Sequence, residues 1–321
     1  MIAKIKTIIE SGQRFLVASH RSPDGDALAS TLALTLALRA AGKEAVAYNA
    51  DGAVLPFDTL PGADTLVTQL APTEVFDATF VLDAGELRRA GLPQGPDYGA
   101  LVNIDHHPHS EDFGAVYWVD TAACATGMMI YRLLQGAGFP TDLPIATCLY
   151  ASILADTGSF RYSNANTEAF RVAAELVALG VNTWEVSHAL YESNRLPRLR
   201  LLGRVLDTLE VAPHGRWATV TATLAMMEAA GAVAEDTDGF INYPRGLRGV
   251  EVAVFFRQID ADNWKIGFRS QGTYDVGALS RTLGGGGHRN AAGGHLEGEL
   301  ASIRQRVALE LDRMLLPPGQ A

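Results

Sequence analysis

Positive charge is in short supply in this chain of 321 residues. Its 26 Lys and Arg face 36 Asp and Glu, leaving a net charge of −10. Binding to long nucleic acid draws most of its strength from phosphate neutralisation by Lys and Arg. The balance therefore argues against a protein that coats long DNA or RNA, whereas a small anion in a locally positive pocket is compatible with it. Cysteine is scarcer still, with only Cys124 and Cys148 and no C-x-x-C spacing. The simple reading is two small buried thiols in a reducing compartment. A membrane-length apolar run is also lacking: residues 27–41 are apolar with a helical period, but Ser30, Thr31 and Thr35 interrupt them and the stretch is short for a span. It reads as a buried core helix. The opening MIAKIKTIIESGQRF carries regular lysines and no signal-peptide core. A cytoplasmic location without a membrane partner is the expectation.

Glycine, by contrast, is plentiful at 32 residues, and 48% of the chain is hydrophobic. This suits a loop-rich α/β protein, and the length allows two cores. Strand-like runs at 14–20, 44–48, 78–83 and 101–104 alternate with helical patterns, first at 27–41 and then at 126–135, 145–154 and 167–179. Such alternation predicts a mostly parallel sheet with helices on both faces. From Glu192 to Leu209 the texture changes to a proline and several arginines. Strand-like runs then follow at 217–223, 250–257 and 264–269, before the glycine-rich LGGGGHRNAAGG. The organisation predicted is a catalytic domain over 1–188, a linker and connecting helix over 189–212, and a smaller α/β substrate-binding domain over 213–321.

Strand and helix ends in the first domain share one chemistry. The first strand runs into His20, then Asp24 and Asp26; a later one ends at Asp83, and the next at Asp105-His106-His107. A helical pattern ends at Asp156. In a parallel sheet the carboxyl ends of the strands lie along one edge, where ligands bind. Carboxylates crowded there would repel one another unless cations sat among them, and carboxylates mixed with imidazoles favour divalent transition ions. Six candidate ligands are too many for one ion and suit two with a bridging carboxylate, the usual device of phosphoryl transfer. Singly, each aspartate could be a turn or cap residue; it is their joint occurrence that points to a metal site. His109, His188 and His214 read as surface residues.

The second domain is the locally basic part. Between Ile241 and His295 seven Lys and Arg face four Asp and Glu. Consecutive glycines let a backbone approach a ligand and aim N–H groups at an anion, and His288 and Arg289 add charge beside them.

With these residues in place the sequence resembles the DHH phosphoesterase superfamily. The motifs are HRSPDGDA (20–27), LDAG (82–85), DHH (105–107), ADTGSFRYSN (155–164) and GGGGHRNAAGG (284–294). The last resembles the glycine motif of the DHH-associated C-terminal domain, and the set as a whole resembles the nanoRNase and pAp phosphatase branch. The resemblance implies that His20, Asp24 and Asp83 hold one metal and that Asp26, Asp83, His106 and Asp156 hold another, with Asp83 bridging. Two Mn²⁺ per chain are implied, with Mg²⁺ or Co²⁺ as alternatives. His107 would face the substrate phosphate and Asp105 would support the histidines, since neighbours on an extended strand point to opposite faces. Arg269, Ser270, Gly285, Gly286, Gly287, His288 and Asn290 would contact substrate. The implied activity is hydrolysis of short oligoribonucleotides and of 3′-phosphoadenosine 5′-phosphate (pAp) to AMP. Cyclic or linear dinucleotide hydrolysis is the alternative, a nucleotide-binding sensor the non-enzymatic one, and a homodimer is compatible with either.

Overall fold

The computed structural model describes residues 1–53, 56–108, 110–287 and 289–316. It divides into two compact units, the first ending at Ser193 and the second starting at Asn194. No helix among the described residues is long and apolar enough to cross a membrane.

In the first unit α1 (Ile2–Ser11) precedes β1 (Arg14–Ser19), and α2 (Gly25–Ala40) precedes β2 (Glu44–Tyr48). Then come β3 (Ala78–Leu82), β4 (Ala100–Asp105), β5 (Val116–Val119), α3 (Thr126–Ala137), α4 (Leu143–Asp156), α5 (Thr167–Ala178) and α6 (Thr183–Ser187). The five strands form one parallel sheet in the order β2-β1-β3-β4-β5. Helices cover its two faces in unequal measure. Phe15, Val17, Phe80, Leu82, Val102 and Ile104 pack into one large core with α1 to α5. On the other face Leu16, Ala18 and Val81 meet loop residues and, among the described residues, a single 3₁₀ turn at Leu87–Ala90.

The apolar run of α2 is explained by burial on nearly all sides: helices lie against it as well as strands. The hydroxyls that interrupt the run are satisfied locally. Thr31 donates to the Ala27 carbonyl and Thr35 to that of Thr31, both at 2.8 Å, so their burial costs little. Gly42, at φ +77°, ends the helix in the left-handed region that glycine enters freely. Two other glycines are required by close packing. A Cβ on Gly25 would lie 2.6 Å from that of Ala155, and one on Gly127 would lie 2.0 Å from Ser152 Oγ. These contacts draw the starts of α2 and α3 tightly against the end of α4.

The second unit holds α7 (Leu196–Leu206), β6 (Glu210–Val211), β7 (Trp217–Ala222), α8 (Leu224–Ala230), α9 (Asn242–Arg245), β8 (Val252–Gln258) and β9 (Asn263–Ser270). After these come α10 (Val276–Thr282), β10 (Gly286–Gly287), β11 (Ala291–Glu297) and α11 (Leu300–Leu315). Its six-stranded sheet runs β10-β11-β9-β8-β7-β6, with only β7 and β8 parallel. Residues of α10 and α11 pack on one face, and those of α7 and α8 on the other. Part of the stretch expected as a linker is thus a structural layer: Leu201 and Val205 of α7 bury against Val220 and Ala222. The glycine-rich stretch, which reads as a loop in sequence, is largely a hairpin. β11 pairs with β9 along its whole length, and Gly285, Gly287 and Gly293 each lie where a Cβ would come within 2.5 Å of backbone. Close strand crossing therefore demands these glycines, whatever else they do.

Candidate metal centre

Every metal-site residue expected in the first unit arrives at the carboxyl edge of its sheet. His20 follows β1, Asp83 follows β3, and Asp105 ends β4 with His106 and His107 just beyond. Asp24 caps α2, accepting from the Ala27 N–H at 3.0 Å, so it also performs the ordinary N-cap role. Asp26 lies in the first turn of α2, and Asp156 is the last residue of α4.

Three sets of side chains are close enough to share an ion: His20, Asp24 and Asp83; Asp26, His106 and Asp156; and Asp83, His106 and His107. His20 Nε2 lies 3.7 Å from Asp83 Oδ2 and 4.0 Å from Asp24 Oδ1. His106 Nε2 lies 3.6 Å from Asp83 Oδ1, 3.6 Å from Asp26 Oδ2 and 3.7 Å from Asp156 Oδ2. The two oxygens of Asp83 thus face different sets. These separations are long for hydrogen bonds. They are close to the ~3.0–3.4 Å expected between neighbouring ligands that each lie about 2.1 Å from a shared ion. The residues therefore fit the binding of divalent cations.

The imidazoles are aimed by their far nitrogens. His20 Nδ1 lies 2.8 Å from the Arg21 carbonyl, and His106 Nδ1 3.2 Å from that of Ala123. A carbonyl can only accept, so each Nδ1 carries the proton and each Nε2 turns a lone pair on the carboxylates. Asp105 is fully buried and serves His107: its Oδ1 accepts from His107 N at 3.0 Å and Nδ1 at 2.8 Å, while Oδ2 accepts from Gly85 N at 2.8 Å. Burial opposes its charge, but the bonds and charge of His107 win and hold the carboxyl far below the usual range.

Contrary to the expectation from strand alternation, His106 and His107 do not diverge to opposite faces. Their ring centroids are 4.6 Å apart, and both approach Asp83 Oδ1, His107 Nδ1 at 3.3 Å. Alternation does not govern them because β4 stops at Asp105. For the same reason Asp105 reaches His107 alone, and His106 leans on Ala123.

Asp26 is the most heavily bonded acid of the group. Oδ1 accepts from Ser30 Oγ at 2.9 Å, Ser152 Oγ at 2.6 Å and Gly127 N at 3.1 Å, and Oδ2 accepts from Thr126 N at 2.6 Å. Two of these donors are backbone groups at the start of α3, a helix whose own N-cap is Ala125 and offers no side-chain bond. A carboxylate from another helix therefore caps it and meets its dipole. Thr126 Oγ1 also donates to Asp83 Oδ1 at 3.0 Å, and Asn164 Nδ2 to the Asp156 carbonyl and the Cys124 carbonyl. Ser30, Thr126, Ser152 and Asn164 escape sequence reasoning in these roles. The one available signal is an uncapped helix start at Ala125-Thr126-Gly127.

Crowding shows in the protonation equilibria. Burial, and then Asp26, Asp24, Asp105 and Asp156, drive the Asp83 carboxyl well above its ordinary value. Burial and then Asp26 lift Asp156 to about 7, against the pull of His106. Burial lowers His106, but Asp26 and Asp156 outweigh it and raise the imidazole. Asp83 also sits at φ +56°, a left-handed backbone that costs a non-glycine residue roughly 1 kcal/mol. Such strain is kept where a side chain must be aimed.

In the second unit Arg269 and Ser270 end β9. Ser270 Oγ donates to the Tyr274 carbonyl at 2.7 Å and accepts from Asn290 Nδ2 at 2.8 Å. Asn290 also donates to the Gly272 carbonyl at 3.1 Å, so these two residues tie the turn after β9 to the glycine hairpin. Gly285 to Gly287 lie in that hairpin. His288 and His109 fall outside the described residues. His188 is exposed, whereas His214 is partly buried and engaged, its Nε2 3.0 Å from Asp312 Oδ1. Cys124 and Cys148 are buried free thiols, and burial pushes Cys124 up to about 12.

A parallel sheet with carboxylates and imidazoles gathered at its carboxyl rim, joined to a second α/β unit, is the plan of a metal-dependent phosphoesterase. The profile of the DHH family, N-terminal domain, matches residues 14–153, and that of the DHHA1 domain matches 220–311. The chain is 38% identical over 314 residues to the bifunctional oligoribonuclease and PAP phosphatase NrnA of Thermus thermophilus, covering 96% of this chain and 91% of that one. It is 29% identical over 279 residues to the protein of that name in Bacillus subtilis, covering 85% and 86%. Among solved structures, an exopolyphosphatase-related protein of Bacteroides fragilis superposes with a TM-score of 0.89 at 25% identity, over 97% of this chain and 95% of that one. The chain belongs to the DHH phosphoesterase family, in the branch of the oligoribonuclease and pAp phosphatase proteins.

Proposed function

We propose that the protein is a metal-dependent phosphoesterase that hydrolyses short oligoribonucleotides and converts pAp to AMP in the cytoplasm. The observation that carries the reading is Asp83, whose two oxygens face two separate ligand sets at the spacing of neighbouring metal ligands, beyond hydrogen-bond reach of His20 and His106. In this reading His20, Asp24 and Asp83 hold one ion, and Asp26, Asp83, His106 and Asp156 hold the second. The donor set of carboxylates with imidazoles suits Mn²⁺, with Mg²⁺ or Co²⁺ as substitutes. Bound there, the ions would supply an activated water and Lewis acidity toward the phosphoryl oxygens.

The chain's own residues do the rest. Asp105 holds His107 through its backbone N–H and Nδ1, which fixes a ring whose Nε2 would contact a phosphoryl oxygen or the leaving group. Asp26 sets the position of its metal-facing oxygen by committing its other lone pairs to Ser30, Ser152 and the start of α3. Arg269, Ser270, Gly285, Gly286, Gly287, His288 and Asn290 contact the nucleotide. The two named relatives, oligoribonuclease and PAP phosphatase, support this substrate class.

The test is a panel of pAp, di- to pentaribonucleotides, cyclic di-AMP and pyrophosphate, each with Mn²⁺, Mg²⁺ and Co²⁺. Fastest turnover is expected on the short RNAs and pAp, with phosphate released only from pAp. Pyrophosphate as the best substrate would overturn the nucleotide reading.

A further inference from the structure

Arg132 of α3 is a partly buried cation with acid partners on two other segments. Its Nε donates to Glu168 Oε1 at 2.9 Å and its Nη2 to Glu168 Oε2, a two-point grip on the first turn of α5. Its Nη1 donates to Asp120 Oδ2 at 2.5 Å, just after the edge strand β5. A guanidinium bonded in this forked way fixes the position of its partners as well as pairing charge.

Asp120 is held at all four of its polar atoms. Besides the Arg132 bond, its N–H donates to the Asp105 carbonyl at 3.0 Å, its Oδ1 accepts from Ala122 N at 3.0 Å, and its carbonyl accepts from Ala123 N at 3.1 Å. Burial opposes its charge, but the Ala122 N–H and Arg132 outweigh it and keep the carboxyl below its ordinary range. A tight turn over 120–123 results. Thr121 and Ala122 are exposed, so polar bonds rather than burial fix this part of the chain. The start of α5 holds the turn a second time: Asn166, which caps that helix through Ala169 N, also donates to the Ala122 carbonyl at 3.4 Å.

What the turn presents is the Ala123 carbonyl, 3.2 Å from His106 Nδ1. That bond orients the ring whose Nε2 faces Asp26, Asp83 and Asp156. A turn that shifts or opens swings Nε2 away from these acids. We propose that Arg132 is a positioning residue for His106: by bracing Asp120 against Glu168 it fixes the carbonyl that aims the imidazole. This rests on the metal-dependent reading and extends it to a side chain bonded to none of the ligands. Arg171 supplies the contrast. It pairs with Glu168 at 3.8 Å and Glu175 at 2.6 Å on its own helix and, among the described residues, makes no bond to the turn.

The experiment measures Mn²⁺ binding by calorimetry and, in the metal-free chain, exchange of the His106 Nδ1–H by NMR. Wild type is compared with Arg132→Met, Arg132→Lys and Arg171→Met. Arg132→Met should weaken Mn²⁺ binding about tenfold and speed His106 exchange by about tenfold or more. The His20 Nδ1–H, bonded to the Arg21 carbonyl, should keep its rate. Arg132→Lys can reach either acid but cannot grip both, and should fall between wild type and Arg132→Met. Arg171→Met should stay within about twofold of wild type on both measures. Lower thermal stability with Mn²⁺ affinity and His106 exchange unchanged would mean a structural brace only and overturns the proposal, as do equal losses in Arg171→Met. If Arg132→Met does not fold, Asp120→Asn is judged by the same thresholds, because Asn keeps Oδ1 for Ala122 N and gives up the charge facing Arg132. If wild type binds no Mn²⁺, the metal reading falls by itself, and His106 exchange alone decides the positioning role.

Discussion

Replacing Asp156 by Asn should stabilise the metal-free protein at alkaline pH while weakening its hold on metal. Asp156 is lifted from 3.8 to about 7 by burial and by Asp26. A folded-state pKa above the unfolded one means that the native state prefers the proton. The associated stability is complete below pH ~4 and is lost as pH rises through about 7. A change of that size corresponds to ~4 kcal/mol at about 1.4 kcal/mol per pKa unit. The side chain keeps 29% of its exposure, so solvent screening reduces the figure to roughly 2 kcal/mol. Asn is always neutral, keeps the shape, and can still take the Asn164 contact seen at 3.3 Å. Urea denaturation with chelator present should therefore give nearly equal stabilities at pH 4 and a variant more stable by about 2 kcal/mol at pH 8. Added Mn²⁺ should reverse the order if, as proposed, Asp156 is one of its ligands, because an ion held by the native state stabilises it. A variant less stable at both pH values would show that the ionised carboxylate is stabilising without metal, and would refute the reasoning.

Other outcomes follow from the same geometry. Asp83→Asn and Asp83→Ala should each cut turnover by about 10³-fold or more, but the chelated Asn variant should be about 1 kcal/mol more stable, because Asn tolerates a left-handed backbone better than Ala; thermal melts decide it. Asp105→Asn removes the charged acceptor that holds His107 and should lower kcat about 10²-fold with Mn²⁺ affinity within threefold by calorimetry. Gly127→Ala forces a methyl onto Ser152 Oγ and should cost about 1–3 kcal/mol, together with weaker Mn²⁺ binding as Asp26 is displaced.

Much of the centre is legible in the sequence because topology carries information that spacing alone does not. A residue type repeated at the ends of elements becomes a cluster once those elements are parallel strands, and Asp83, Asp105 and His106 obey that rule, with Asp156 brought to them at the end of a helix. The companions of Asp26 are not legible. Ser30 reads as a polar interruption of a helix, Ser152 lies in an apolar run, and the backbone of Thr126 and Gly127 has no identity in sequence. The paired approach of His106 and His107 is hidden for a related reason, since strand periodicity ends where hydrogen bonding ends, at Asp105 and before either histidine. In the second unit the glycine motif stands out, but its hairpin does not, because glycine carries no hydrophobic alternation from which a strand could be read.

The bonds of Asp26 have a consequence for the protein during its own synthesis. Its partners lie 100, 101 and 126 residues downstream. A chain emerging from the ribosome exposes this acid long before Thr126, Gly127 and Ser152 exist to receive it. Until then the first amides of α3 are without the carboxylate that caps them. The junction of α2, α3 and α4 is therefore non-local, and a chain that stops before Ser152 lacks donors that Asp26 engages in the folded protein.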